Sequence, residues 1–265
     1  YKIVSMNQSF HGRTMATLTA TGQDKIKNGF NPLIEGFIHI PFNDFNALKD
    51  AVDETVCAVM MEPVQGEGGV VAASPEYLKA VRDLCDKEEI LLIFDEVQTG
   101  MGRCGELFAH QIYDIKPDIM TLAKALANGL PMGAMLATER AAQGFAVGSH
   151  ATTFGGTPLV ASAAFAALSI ISKPEFLQEC REKGEYFRNK LKSLKSKHSV
   201  IKDVRGKGLL IGVELEVEAA PVVEKCLKKG FIINAIQGNI LRFAPPLIIT
   251  CGEIDALVDI LDSVL

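Results

Sequence analysis

The chemistry available to this sequence centres on an acidic pair and a lysine. Ile90 to Phe94 is a run of five apolar residues that ends in Asp95-Glu96. A second apolar stretch, 118–123, ends at Lys124, and a Gly/Pro-rich segment follows. Short continuous apolar runs bounded by charge read as strands buried on both faces of a parallel sheet. A carboxylate and an amine then stand at the carboxyl ends of two such strands, the edge where open α/β sheets bind ligands. Taken singly, each is most simply a solvated loop residue. Together, beside Gly-rich turns, they suggest more, because lysine is rarely buried unless it is paired or used. The amine can bond an aldehyde, and the carboxylate can keep a pyridine nitrogen protonated. Those are the two demands that pyridoxal 5′-phosphate (PLP) makes on a protein.

Elements that must position these residues follow from local pattern. Residues 1–9 read as a strand leading into Ser9-Phe-His-Gly-Arg-Thr14, and 37–41 and 56–61 as further short apolar strands. Residues 14–31 read as a polar loop with a helical turn, and 44–52 as a helix capped by Asn43 or Asp44. The 56–61 run ends in Glu62-Pro-Val-Gln-Gly-Glu67-Gly-Gly, whose glycines allow tight turns near a ligand. Ser74-Pro75-Glu76 opens a helix to Lys87 with a cap, a first-turn proline and an acid. Strand, helix and strand at this spacing make a right-handed crossover. Beyond Lys124 come a strand over 134–137, a polar Gly-rich loop over 148–157, and helices over 158–172 and 175–196. The remainder reads as a strand over 204–214, a helix over 221–229, a hairpin over 231–243 turning at 237–239, and a last helix over 252–265.

The strings LLIFDEVQTGMGR and TLAKALANGLPMGA, with SFHGRT, EPVQGEGG and LRFAPPL in order around them, resemble the class III, or ω-amino, PLP-dependent aminotransferases. The likeness covers essentially the whole chain and is strongest to the acetylornithine-type branch. It implies fold-type I: a mainly parallel, mixed seven-stranded sheet flanked by helices, with a smaller α+β C-terminal domain. It implies that Lys124 and Asp95 are catalytic and that Phe10, Val97 and Gln98 contact the cofactor. Thr153 is expected to bind the cofactor phosphate of a neighbouring subunit, in a homodimer with shared active sites. Arg13, Glu67 and Arg242 are expected to face substrate, with Glu62 as structural support. Glu67 would pair with Arg242 for an ω-amino substrate and release it for a dicarboxylate. The implied reaction is transamination of an ω-amino donor, N2-acetylornithine foremost, with 2-oxoglutarate. Ornithine or 4-aminobutyrate donors, or a non-catalytic dimerising fragment, stand as alternatives. The family pattern also implies an N-terminal segment ahead of Tyr1, with a Gly-Thr-x-Ala loop for the phosphate. The sequence departs from that pattern at Ala125, Ala127, Ala151 and Thr157, where the family usually has glycines and, at 157, asparagine.

Bulk composition narrows the classes. The 265 residues are 48% hydrophobic and 22% charged, which is ordinary for a globular protein. The net charge of −5 argues against a nucleic-acid partner. Six scattered cysteines with no CxxC pair and no zinc-ligand spacing read as reduced thiols, with no metal site and a cytoplasmic location. No apolar run reaches the roughly 20 residues of a bilayer span. Lys173-Pro174 marks a division into a large PLP-binding domain, 1–172, and a small C-terminal domain, 173–265.

Overall fold

The computed structural model describes residues 1–265. The first half runs β1 (Lys2–Met6), α1 (Met15–Ala20), α2 (Asp24–Lys27), β2 (Phe37–Ile40), α3 (Phe45–Ala51), β3 (Val56–Met61), β4 (Val64–Gln65), β5 (Val71–Ala72), α4 (Pro75–Lys87), β6 (Leu91–Asp95), β7 (Ile119–Leu122) and β8 (Ala134–Ala137). The second runs α5 (Glu139–Ala142), α6 (Pro158–Ile171), α7 (Pro174–Lys197), β9 (Ile201–Lys207), β10 (Leu210–Leu215), α8 (Ala220–Lys228), β11 (Asn234–Ile236), β12 (Ile240–Phe243) and α9 (Cys251–Val264).

The main sheet has the order β2-β1-β3-β6-β7-β8, with only β8 antiparallel to its neighbour. This corrects the expected seven strands to six for this chain. The remaining strands do not extend the sheet. β4 and β5 pair with each other, and β9 to β12 form a separate antiparallel sheet, β11-β12-β10-β9.

Sequence explains most boundaries. Asp44, not Asn43, caps α3 by accepting from Ala47 N–H. Ser74 caps α4 through Tyr77 N–H, with Pro75 at the first helical position. The supposed loop over 14–31 contains α1 and α2, because Leu18 and Ala20 are buried and Ser5 Oγ donates to the Ala20 carbonyl at 2.6 Å. The stretch expected as one strand over 204–214 is a hairpin. Gly208 takes φ +52°, a conformation cheap only for glycine, and reverses the chain between β9 and β10.

Two large apolar cores follow. One, around Val4, Leu78, Leu92 and Phe94, lies between residues 4 and 115; the other, around Phe187, Leu191, Ile211 and Phe243, lies between 187 and 264. Between them, Val64, Val70 and Cys104 pack against Leu210, Ile236 and Ile240. We propose the division near residue 173 on this ground. Arg103 also ties the two parts, donating from Nη1 to the carbonyls of Leu209 (3.1 Å) and Pro245 (2.6 Å).

Gly184 shows how tightly α7 meets the β9–β10 turn. A Cβ there would overlap the Gly208 carbonyl. In a free helix Gly→Ala stabilises by about 1 kcal/mol. Here Gly184→Ala should instead destabilise by ~1–3 kcal/mol through overpacking. A lower urea midpoint at unchanged m value is expected; an unchanged or higher midpoint would show that this contact yields freely.

Candidate active site

Four neighbouring parallel strands, β1, β3, β6 and β7, end on one edge of the main sheet. Their exits carry Phe10-His11, Glu62, Asp95-Glu96 and Lys124 respectively. Parallel alignment thus places on one rim residues that are more than a hundred positions apart in sequence. Phe10, His11, Gly12, Glu62, Glu67, Asp95, Val97, Gln98 and Lys124 line a single cavity of about 90 Å³. That volume is below the roughly 300–1,000 Å³ of small-molecule pockets, so these residues form one wall of a site.

Asp95 is buried and fully engaged. Its Oδ2 lies 2.8 Å from His11 Nδ1, and its Oδ1 accepts from Val97 N–H at 3.0 Å and Thr121 Oγ1 at 3.4 Å. Val97 N–H comes from the turn that follows β6, and Thr121 is the register partner of Asp95 on β7. His11 Nε2 is buried without a partner. Sequence reasoning missed His11. The available signal was its place at a strand exit, beside Phe10, on the sheet that also presents Asp95.

Glu62 is buried as well. Oε2 accepts from Phe10 N–H and Oε1 from Gly66 N–H, both at 3.1 Å. One carboxylate thereby joins the loop bearing Phe10 to the loop bearing Glu67. Burial pushes its carboxyl up from 4.5 to about 7; His11 and the two N–H donors oppose the rise, and Asp95 adds to it.

Lys124 opens a short 3₁₀ turn, Lys124–Ala127, with φ +46°. A non-glycine residue in this left-handed region costs about 1–3 kcal/mol, a strain often held at functional sites. The side chain opens to solvent at the cavity mouth, yet protein crowds its amine. Desolvation lowers the amine's pKa from 10.5, against the carboxylates of Asp95, Glu62 and Glu67, which raise it.

Glu67 and Arg242 meet at the rim, with Arg242 Nη1 2.6 Å from Glu67 Oε1. The same Nη1 reaches the Gly66 carbonyl at 3.2 Å and Gln98 Oε1 at 3.4 Å, and Gln98 Nε2 reaches Glu67 Oε1 at 3.4 Å. A Cβ at Gly66 would overlap the Gln98 amide and displace it from Arg242 and Glu67. Arg13 stands outside the cavity lining, exposed, with its guanidinium 5.6 Å from the Phe10 ring centroid. Thr153 lies in the exposed 148–157 loop and does not line the cavity.

The family model for class-III aminotransferases matches residues 1–265. The chain belongs to the class-III aminotransferase family. It is 53% identical to the acetylornithine aminotransferase of Caldanaerobacter subterraneus subsp. tengcongensis, covering 100% of this chain and 67% of that protein. It is 52% identical to the acetylornithine aminotransferase of Methanocaldococcus jannaschii, covering 99% and 66%. An ornithine aminotransferase from Toxoplasma gondii, whose structure reveals partial occupancy of PLP at the active site, superposes with a TM-score of 0.94. It is 34% identical and covers 99% of this chain and 63% of that one. The chain therefore spans about two thirds of the length of these relatives.

Glu62 offers a test of the site's electrostatics. Its folded pKa of about 7 exceeds the ordinary 4.5, so folding favours the protonated form. That contribution is full below 4.5 and is lost as pH rises to about 7. Glu62→Gln cannot titrate. The difference in unfolding free energy between wild type and E62Q should move in favour of the variant across that window and level off above it. Urea melts at several pH values measure this, and a pH-independent difference would contradict the raised carboxyl.

Proposed function

We propose that this chain carries the centre of a PLP-dependent aminotransferase that takes an ω-amino donor, N2-acetylornithine foremost, and 2-oxoglutarate. The observation that carries the reading is one cavity wall holding Asp95, a desolvated Lys124 amine and the rim pair Glu67–Arg242. The relatives named acetylornithine aminotransferase support the donor, and the structural likeness to an ornithine aminotransferase keeps ornithine as a second donor.

The residues present suit the cofactor. A carboxylate anchored on both oxygens can hold a protonated pyridine nitrogen, and a lysine of lowered pKa offers a free amine to an aldehyde. Phe10 and Val97 would flank the ring, and the Gln98 amide would reach its phenolic oxygen. When bound, the cofactor supplies the electron sink that makes the substrate's C–H bond acidic.

This chain's own groups do the rest. Lys124 Nζ would take the proton from the substrate carbon that bears nitrogen, as base, and give it, as acid, to the carbon on the far side of that nitrogen. Its lowered pKa brings both roles nearer neutral pH. Asp95, oriented by His11, Val97 N–H and Thr121, stays aligned throughout. Arg242, when paired with Glu67, presents an almost neutral surface to an ω-amine. When parted, its guanidinium can grip the α-carboxylate of glutamate or 2-oxoglutarate with two hydrogen bonds.

A homodimer belongs to this reading. Helix α6, apolar nearly all round, leaves Leu159, Phe165 and Ile170 exposed, and Phe154 is 83% exposed in the neighbouring loop. A helix of that kind is ordinarily covered. A second copy would cover it and could receive Thr153 at its own site. A cytosolic location accompanies the reading, because all six cysteines are free thiols.

Two outcomes test it. The purified chain with PLP should show a visible band that N-acetylornithine bleaches and that Lys124→Ala lacks; no band would sink the reading for this chain, and faster bleaching by ornithine would move the donor. Glu67→Ala should lower kcat/KM for the ω-amine half-reaction at least tenfold more than for glutamate, about the factor expected from ~1.4 kcal/mol. Equal losses in the two half-reactions would count against the Glu67–Arg242 gate.

A further inference from the structure

The loop that carries Glu67 is held from the C-terminal sheet by donors to three of its carbonyls. Arg242 Nη1 reaches Gly66 O at 3.2 Å, Gln237 Nε2 reaches Glu67 O at 2.8 Å, and Arg205 Nε reaches Gly69 O at 2.9 Å. These three contacts differ in kind. Arg205 is also fixed by Asp203 and Glu214, which makes it a permanent strut. Arg242 must change partners if it is to grip a carboxylate. Gln237 holds the backbone of the gate residue itself.

Backbone conformation points to Gln237 as well. It sits in the turn between β11 and β12 at φ +51°, followed by Gly238 at φ +84°. Positive φ is adopted most readily by Gly, Asn and Asp. Glutamine at the first position bears a cost that those residues would avoid. Its longer side chain supplies the reach to Glu67 O, and it also meets Gln23 Oε1 at 3.4 Å. Gln23 in turn donates to the carbonyls of Gln8 and Ser9, next to Phe10. Two glutamines thus join the loops that carry Phe10 and Glu67 to the turn that leads into the strand of Arg242.

We propose that Gln237 is a positioning residue that fixes the Glu67 backbone, so that the gate opens by rotation of the Glu67 side chain and not by displacement of the 66–69 loop. The proposal rests on the Glu67–Arg242 reading for its catalytic consequence, but not for the clamp itself. With the clamp lost, the loop drifts and the pair is weakened. The half-reaction that needs the pair closed, that of the ω-amine, then suffers most.

The test uses the full chain with three substitutions. Gln237→Met keeps the length and removes the donor; Gln237→Lys restores a donor of similar reach; Gln237→Gly removes the donor while relieving the turn. The first readout is amide hydrogen exchange over residues 66–69 in the protein without substrate. Gln237→Met and Gln237→Gly should raise it, Gln237→Lys should not, and exchange in β3 and β6 should stay unchanged. The second is the ratio of kcat/KM for the two half-reactions. It should shift against the ω-amine by about two- to tenfold in Gln237→Met and Gln237→Gly, the range one hydrogen bond supplies, and recover in Gln237→Lys. Gln237→Gly should lose the ratio without losing thermal stability, which a mere turn residue would not do. Unchanged exchange, or proportionate loss of both half-reactions while Glu67→Ala still separates them, would overturn the proposal. If Glu67→Ala fails to separate them, the gate reading falls, and exchange alone decides whether Gln237 clamps the loop.

Discussion

Three carboxylates, Glu62, Asp95 and Glu96, are buried where β3 and β6 end, and the loops of the site are arranged to satisfy them. A buried charge left without partners costs several kcal/mol, on the order of 3–5 when one partner of a buried pair is removed. Each carboxylate therefore dictates the path of chain around it. Glu62 requires the N–H groups of Phe10 and Gly66. Asp95 requires His11 and Val97 N–H. Glu96 accepts from Thr99 Oγ1 at 2.5 Å, Ala109 N–H at 2.9 Å and His110 N–H at 2.8 Å, which closes the long loop after β6. The sheet core below, with Phe94 and Leu92 wholly buried, fixes where the carboxylates stand. The donors then fix the loops.

This arrangement assigns different work to adjacent residues. Glu96 points away from the cavity and holds structure; Asp95, one residue earlier, faces it. Alternation along an extended chain produces that division, since successive side chains leave on opposite faces. Glu62 stands between the roles: it lines the cavity and also ties two loops together. Its elevated pKa is a consequence of that position, because the same burial that makes it an effective tie makes its charge costly.

Much of this was legible in the sequence because it rests on local pattern. The strands ending at Met61, Asp95 and Leu122, the Ser74 cap and the Gln237-Gly238 turn all follow from apolar runs and turn chemistry. The residues quoted from the motifs at Phe10, Glu62, Glu67, Asp95, Val97, Gln98 and Lys124 share one cavity, and Arg242 reaches its rim. What escaped was non-local. His11 matters only because β1 and β6 are separated by a single strand, a fact of sheet order. The β9–β10 reversal escaped because Gly206 and Gly208 permit either a bend or a turn, and packing against Gly184 selects the turn. Arg13 and Thr153 are exposed outside the lining, and of the two only Arg13, over the Phe10 ring, approaches a lining residue.

A site that must accept both an ω-amine and an α-amine flanked by its carboxylate faces a conflict that a rigid pocket cannot resolve. An unpaired arginine would favour the acid and repel the amine; an arginine sealed in a buried pair would reject the acid. The rim position of Arg242 and Glu67 resolves this, since both are only partly buried and water can take up either partner when the pair opens. Such a pair can open at little cost and still dominate the local charge when closed. A cheap gate, however, needs a stiff frame, or thermal motion of the loop would blur both states. The buried carboxylates on one side and the donors from the C-terminal sheet on the other supply that stiffness, and they leave mobility to one side chain.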